Sequence, residues 1–278
     1  MKITVLIENT TQSELVSEHG LSLLIENNGK KYLLDAGQSD KFVANANAMG
    51  INLSDVDCGV LSHGHYDHAG GFESFLAISD ASVYAMKGFD GKYYSTFGGL
   101  HEIGVPQVIL DKYSKRFITI DKPSEIDRGV YMLPHSTKGL EKIGERTGLL
   151  KAENSDMVPD DFSHEQSLVF ETPKGLVIFN SCSHGGVCNI YNEVREFFGE
   201  MPIHAFIGGL HMKGMKNGEE ICTFSDEEIA QIAELVNSGK ISVVYTGHCT
   251  GEVGFSKLEK ACGNRVKKLY TGKIIFEE

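Results

Sequence analysis

Leu61-Ser62-His63-Gly64-His65-Tyr66-Asp67-His68-Ala69-Gly70-Gly71 sets four metal-ligand side chains within six positions, directly behind the apolar segment Val56 to Leu61. Imidazole nitrogen and carboxylate oxygen suit borderline and harder divalent metals, so zinc leads, with manganese and iron as alternatives. No thiolate sits in the run. On an extended loop His63, His65 and Asp67 alternate with Gly64 and Tyr66 and project to one side, while His68 opens a helix and approaches from another direction. Two ligand sets on one short loop imply two adjacent ions. Gly64, Gly70 and Gly71 remove Cβ atoms where the backbone must bend or come close to other chain. The bland alternative is a polar loop that happens to be rich in His. With 11 His in 278 residues, three of them plus an Asp in six positions is more than composition alone produces.

At 41% apolar content over 278 residues the chain can bury a full core, and it reads as one domain, 1–278, with an inserted subdomain or elaborated loops at about 82–161. The 26 Lys+Arg stand against 38 Asp+Glu, a formal charge of −12, which argues against nucleic acid as a partner. A metal pair returns about four positive charges to the site itself, so a small, phosphorylated substrate remains compatible with the acidic chain. No basic segment leads into an apolar one at Met1-Lys2-Ile3-Thr4-Val5, so export is not expected. No apolar run approaches the ~20 residues of a membrane helix, so neither is a membrane partner. Six Cys without a C-x-x-C pair fit a reducing cytoplasm. Cys182, Cys188 and Cys249 flank candidate site histidines, although a buried apolar role is the commoner fate of a free thiol.

Taken in order, Lys2 to Glu8 alternates as a strand, and Leu21 to Glu26 and Lys31 to Asp35 flank the hairpin turn Asn27-Asn28-Gly29. Asp35, at a strand end before Gly37, either accepts hydrogen bonds from the neighbouring loop or closes an Asx turn. Helices are expected over Asp40 to Met49 and Gly71 to Ile78. His101 and His135 stand alone, and Lys138, Lys142, Arg146 and Lys151 form a solvated face or hold a phosphate. Ser22-Leu23-Leu24-Ile25-Glu26 then recurs as Ser167-Leu168-Val169-Phe170-Glu171, with a turn and an apolar strand after each, and thirteen residues past each Ser stands Asp35 or Asn180. Two similar halves follow from that echo. The second copy leads into Asn180-Ser181-Cys182-Ser183-His184, which places His184 at the same kind of rim as His63. Gly208-Gly209-Leu210-His211 and Gly247-His248-Cys249-Thr250-Gly251 repeat the pattern of a small-residue loop with a His after a strand. Ser225-Asp226-Glu227-Glu228 is a capping box for a helix carrying Ile229, Ile232, Ala233 and Val236. Val266 to Tyr270 and Lys273 to Phe276 look like a closing hairpin.

His63-x-His65-x-Asp67-His68 after an apolar strand resembles the signature of the metallo-β-lactamase superfamily. The resemblance implies an α/β fold, a four-layer αβ/βα sandwich of two mixed sheets. It also implies His63, His65 and His184 on a first ion, Asp67 and His68 on a second, His248 as the last loop's ligand, and Asp35 behind them as a buttress. The fourth loop departs from the pattern. It has no bridging Asp, and His211 is its one ligand-competent side chain, so either His211 coordinates an ion or the bridge is absent. The whole motif set resembles one branch of the superfamily, named for a dihydropterin-ribofuranosyl-aminobenzene phosphate synthase. It implies a metal-dependent hydrolase or synthase-like enzyme using a metal-activated water, oriented by Asp67, on a phosphorylated, pterin- or nucleotide-like small molecule. Tyr66, Ser183 and Thr250 are candidates to touch that substrate. Two alternatives stand beside this one: a di-iron oxidoreductase of the same fold, against which His65 argues, and a non-catalytic metal-containing binding protein.

Overall fold

The structure, a computed structural model, describes residues Met1–Phe276 as a mixed α/β chain that divides into two compact units. The first comprises Met1–Pro123, Pro134–Gln166 and, of the described residues, 270–276. The second comprises Ser124–Leu133 and Ser167–Leu269.

The first unit is built on a seven-stranded mixed sheet in the order Ile274–Phe276, Lys2–Ile7, Ser22–Asn27, Lys30–Leu34, Cys58–Val60, Ser82–Met86, Phe117–Ile120. The first three pairings are antiparallel and the last three parallel. Its first hairpin turns at Asn28 and Gly29, both at positive φ (50° and 79°), the two-residue turn whose twist matches that of the flanking strands. Phe42 on helix Lys41–Ala48 and Phe72 and Phe75 on helix Phe72–Ile78 are fully buried with Leu6, Leu24 and Leu33. Each such ring contributes roughly 2 kcal/mol or more of hydrophobic stabilisation. A second, smaller sheet, Asp156–Pro159, Leu149–Glu153, Tyr93–Ser95, His101–Glu102, carries its own cluster of Tyr93, Ile103, Leu140, Leu149 and Phe162. Within the 82–161 stretch, Ser82–Met86 and Phe117–Ile120 belong to the large sheet and Ser124–Asp127 to the second unit.

The second unit repeats the plan. Its seven strands run Val266–Lys268, Ile241–Thr246, Ile203–Ile207, Gly175–Phe179, Gln166–Thr172, Val130–Pro134, Ser124–Asp127. Helices Val187–Phe198, Asp226–Asn237 and Gly251–Cys262 supply Ile190, Val194, Ile232, Val236 and Leu258 to a core with Val169, Ile178 and Phe206. The Ser225/Glu228 capping box opens the middle helix, and the four apolar positions read from the sequence are buried, with Leu235 as a fifth. The internal echo is physical. Each copy is an antiparallel hairpin, and in each the Ser is bonded to the residue thirteen positions on: Ser22 Oγ donates to the Asp35 carbonyl at 2.8 Å, and Asn180 Nδ2 donates to Ser167 Oγ at 3.1 Å.

Two local expectations are corrected. The strands around Thr271-Gly272 do not form a hairpin: Val266–Lys268 pairs in parallel with Ile241–Thr246, and Ile274–Phe276 pairs antiparallel with Lys2–Ile7. Thr271 turns the chain there by accepting the Glu8 N–H at 2.8 Å and donating to the Glu8 carbonyl at 3.1 Å. The short helix after the ligand loop begins at Tyr66, not His68. His65, in extended backbone, is its cap, and Asp67 and His68 both ride on its single turn.

Candidate metal centre

In the first unit one buried carboxylate organises the ligand run. Asp35, held at a positive φ of 57° where the strand ends, accepts the Ser62 N–H on one oxygen at 2.7 Å. Its other oxygen accepts the Ser62 hydroxyl at 2.7 Å and faces His68 Nδ1 at 2.7 Å. Ser62 Oγ has spent its proton on Asp35, so its 2.8 Å contact with His63 Nδ1 requires that nitrogen to be the donor. His63 Nδ1–H, Ser62 and Asp35 therefore form a chain that His68 Nδ1–H joins from the other end. Both imidazoles are fixed as the tautomer that presents Nε2 as the basic atom, the usual arrangement behind a metal-ligating histidine.

The side chains of the run come together as a cluster. The His63 ring lies 4.5 Å from that of His65 and 4.3 Å from that of His68, and Asp67 Oδ2 is 3.6 Å from His68 Nε2. Imidazole and carboxylate donors, with two tautomers already set, are of the type that suits a divalent ion. Burial, and next to it the neighbouring His164, pushes His65 from the usual imidazole value down to about 3. The ring is thus neutral, the form in which an imidazole can ligate a metal.

Two further histidines of this unit touch the run. His19, half exposed, places Nε2 3.2 Å from Asp67 Oδ2. His164, fully buried, accepts the Gly64 N–H on Nδ1 at 2.8 Å, so its proton resides on Nε2, 3.1 Å from Asp160 Oδ2. Asp160 in turn accepts the Phe162 N–H at 2.8 Å. Although burial opposes it, His164 beside Asp160 holds this carboxyl below the usual range. His65, Asp160 and His164 each offer a ligand atom within 4.8 Å of the others. Both nitrogens of His164 are already committed, so the Asp160–His164 pair acts as a brace on Gly64, between the first two ligand candidates. Sequence reasoning missed both histidines, yet a signal was there. His19 and His164 each stand three residues before the repeated Ser22 and Ser167, and extending the echo upstream reaches them.

The second unit carries the other candidates on three loops. Asn180 Oδ1 accepts the Ser183 N–H at 2.6 Å and Ser183 Oγ donates to the Gly209 carbonyl at 2.7 Å, which fixes the backbone before His184. Ser183, His211 and His248 sit at φ of 55°, 49° and 50°, a left-handed conformation that costs side-chain-bearing residues about 1 kcal/mol or more and collects at functional sites. The His184 and His211 rings lie 4.3 Å apart. Gly208 and Gly209 admit the crossing of these loops: a Cβ would fall 1.8 Å from the Asn180 carbonyl at the first and 2.4 Å from Cys249 Sγ at the second. Burial works against ionisation of Cys249, but the Cys182 hydrogen bond, with His248 and His211 nearby, holds its thiol well below the usual range.

Of the basic residues, Lys138 and Lys151 line a cavity of about 600 Å³ in the first unit. Glu141, Glu153 and Asp161 line it too, and Lys151 is paired with Asp161 at 2.9 Å. Among the described residues no helix is long and apolar enough to cross a membrane.

Residues 17–139 match the model of the metallo-β-lactamase superfamily. Over 274 residues the chain is 28% identical to the 7,8-dihydropterin-6-methyl-4-(β-D-ribofuranosyl)-aminobenzene-5′-phosphate synthase of Methanocaldococcus jannaschii, covering 93% of this chain and 90% of that one. A crystal structure described as a metal-dependent hydrolase of the β-lactamase superfamily is 30% identical and superposes with a TM-score of 0.82, covering 100% of this chain and 99% of the other. Zn²⁺-bound PqqB from Methylobacterium extorquens shares the fold at 12% identity, with a TM-score of 0.63 and 100% of both chains covered.

Proposed function

Because this chain belongs to the metallo-β-lactamase superfamily, we propose that it is a metal-dependent enzyme that binds two divalent ions, zinc first, and uses a metal-activated water on a phosphorylated, pterin- or nucleotide-like small molecule. The observation that carries this reading is the Asp35 carboxylate, buried where it costs most and spent on orienting His63 and His68. The residues proposed to hold the ions are His63, His65, Asp67, His68, His184, His211 and His248. When bound, such ions lower the pKa of a coordinated water toward about 7 and polarise a substrate oxygen.

The chain's own residues supply the rest. Neutral His65 offers a lone pair at neutral pH. Asp67 orients the attacking water and lies beside His19, which is exposed enough to meet substrate. Likeness to the archaeal synthase favours a phosphorylated pterin-like substrate over a β-lactam or other unphosphorylated acyl compound. Elemental analysis of the purified protein, followed by a panel of esters, phosphodiesters and pterin phosphates, tests the reading. Replacing His63 and His65 together with Ala is expected to remove the metal. Two retained equivalents would show that the ligands lie elsewhere, and a metal-loaded protein silent on the whole panel would overturn the substrate class.

A further inference from the structure

Two thiols of the second unit meet in direct sulfur–sulfur contact. Cys182 follows the strand Gly175–Phe179, and Cys249 lies in the turn His248–Thr250. Their sulfurs are 3.5 Å apart, a thiol hydrogen bond. A disulfide brings two sulfurs to about 2.05 Å, so closing the bond asks for a movement of about 1.5 Å shared between two side chains on loops. Cys249 Sγ has two further contacts. It accepts the His211 N–H at 3.3 Å and lies 3.7 Å from the Cys182 carbonyl. Gly209 provides the space, since a Cβ at that position would collide with the Cys249 sulfur at 2.4 Å. Cys249 is the partly exposed residue of the two and Cys182 the buried one.

We propose that Cys182 and Cys249 are a reversible thiol–disulfide pair oxidised by peroxide. Cys249 sulfur attacks the O–O bond, giving a sulfenic acid and one water. Cys182 sulfur then attacks Cys249 sulfur, and the departing hydroxide takes the Cys182 proton as a second water. Two thiols and one peroxide thereby become one disulfide and two waters; the sulfurs lose the two electrons that the peroxide gains. A dithiol reductant reverses the step. The new bond would join the residue two before His184 to the residue directly after His248, so oxidation shifts both histidine loops. Nothing in this depends on which substrate the enzyme takes.

The test treats the isolated, full-length protein with a small excess of hydrogen peroxide, alkylates remaining thiols and maps the peptides by mass spectrometry. Cys182 and Cys249 are expected to disappear together into one cross-linked peptide, leaving four of the six thiols alkylatable and returning all six after dithiothreitol. Cys188 and Cys222, also partly exposed, serve as internal references. In a Cys182→Ser variant, Cys249 should instead proceed to sulfinic acid. Oxidation of the reference cysteines ahead of the pair, or Cys249 sulfinic acid in the parent protein with Cys182 still alkylatable, would overturn the proposal, and the parent's peptide map decides even if the variant does not fold.

Discussion

His164→Leu is the sharpest test of how the ligand run is held. The ring is fully buried, accepts the Gly64 N–H at 2.8 Å and faces Asp160 at 3.1 Å. Leucine fills much the same volume but answers neither partner. The stranded Gly64 N–H costs about 1–3 kcal/mol, and Asp160 keeps the Phe162 N–H but loses its imidazole, which brings the total to about 3–5 kcal/mol. For a chain of this size that is a melting temperature lower by about 10 °C. His164→Asn provides the contrast. Its side-chain oxygen can take the Gly64 N–H, and its shorter reach forfeits mainly the Asp160 contact, so about half of the loss should be recovered. Thermal unfolding followed by circular dichroism at neutral pH gives both numbers, and metal content measured on the same samples should fall with them because Gly64 separates His63 from His65. A leucine variant that melts with the parent, or an asparagine variant no better than leucine, would refute the brace.

Three other outcomes follow from the geometry. His65 titrates at about 3 in the folded chain against 6.5 when unfolded, so between those values the unfolded state binds a proton that the folded state does not. Stability of the chelator-treated protein should therefore fall as pH drops below about 6.5, with a limiting slope of about 1.4 kcal/mol per unit from this residue. Urea titrations should show a flatter slope for His65→Gln, and equal slopes would remove the assignment. Asp35→Asn swaps an acceptor for a donor facing both Ser62 and His68, and competition with a chromophoric chelator should show zinc held about 10–100-fold more weakly. Gly208→Ala, at φ 144° with a Cβ 1.8 Å from the Asn180 carbonyl, should cost at least about 3 kcal/mol, read as lost soluble yield or a depressed melt; parental behaviour would mean the loops do not cross as described.

Much of this was legible in the chain. The capping box at Ser225, the Asn28-Gly29 turn and the doubled strand–turn–strand unit appear where local chemistry demanded them, because each is specified by residues within a few positions of one another. Asp35 could be singled out as a strand-end acceptor for the same reason. What was hidden depends on long-range pairing. Thr271-Gly272 carries an ordinary turn signal, but the strands on either side found partners in different sheets. The echo reaches His164, but its bond to Gly64, 100 residues away, leaves no mark in motif spacing. Cys182 and Cys249, 67 residues apart, become neighbours only through the glycines that let their loops cross.

The doubly employed Asp35 has a consequence for how this site tolerates change. Two imidazoles lean on a single carboxylate, one of them through a serine relay, so their alignments rise and fall together. Injury to the carboxylate disturbs both imidazoles in one step, and subsequent loss of Ser62 should add little further harm. In such an arrangement the two rings do not drift independently: a change at this one acid reaches both at once.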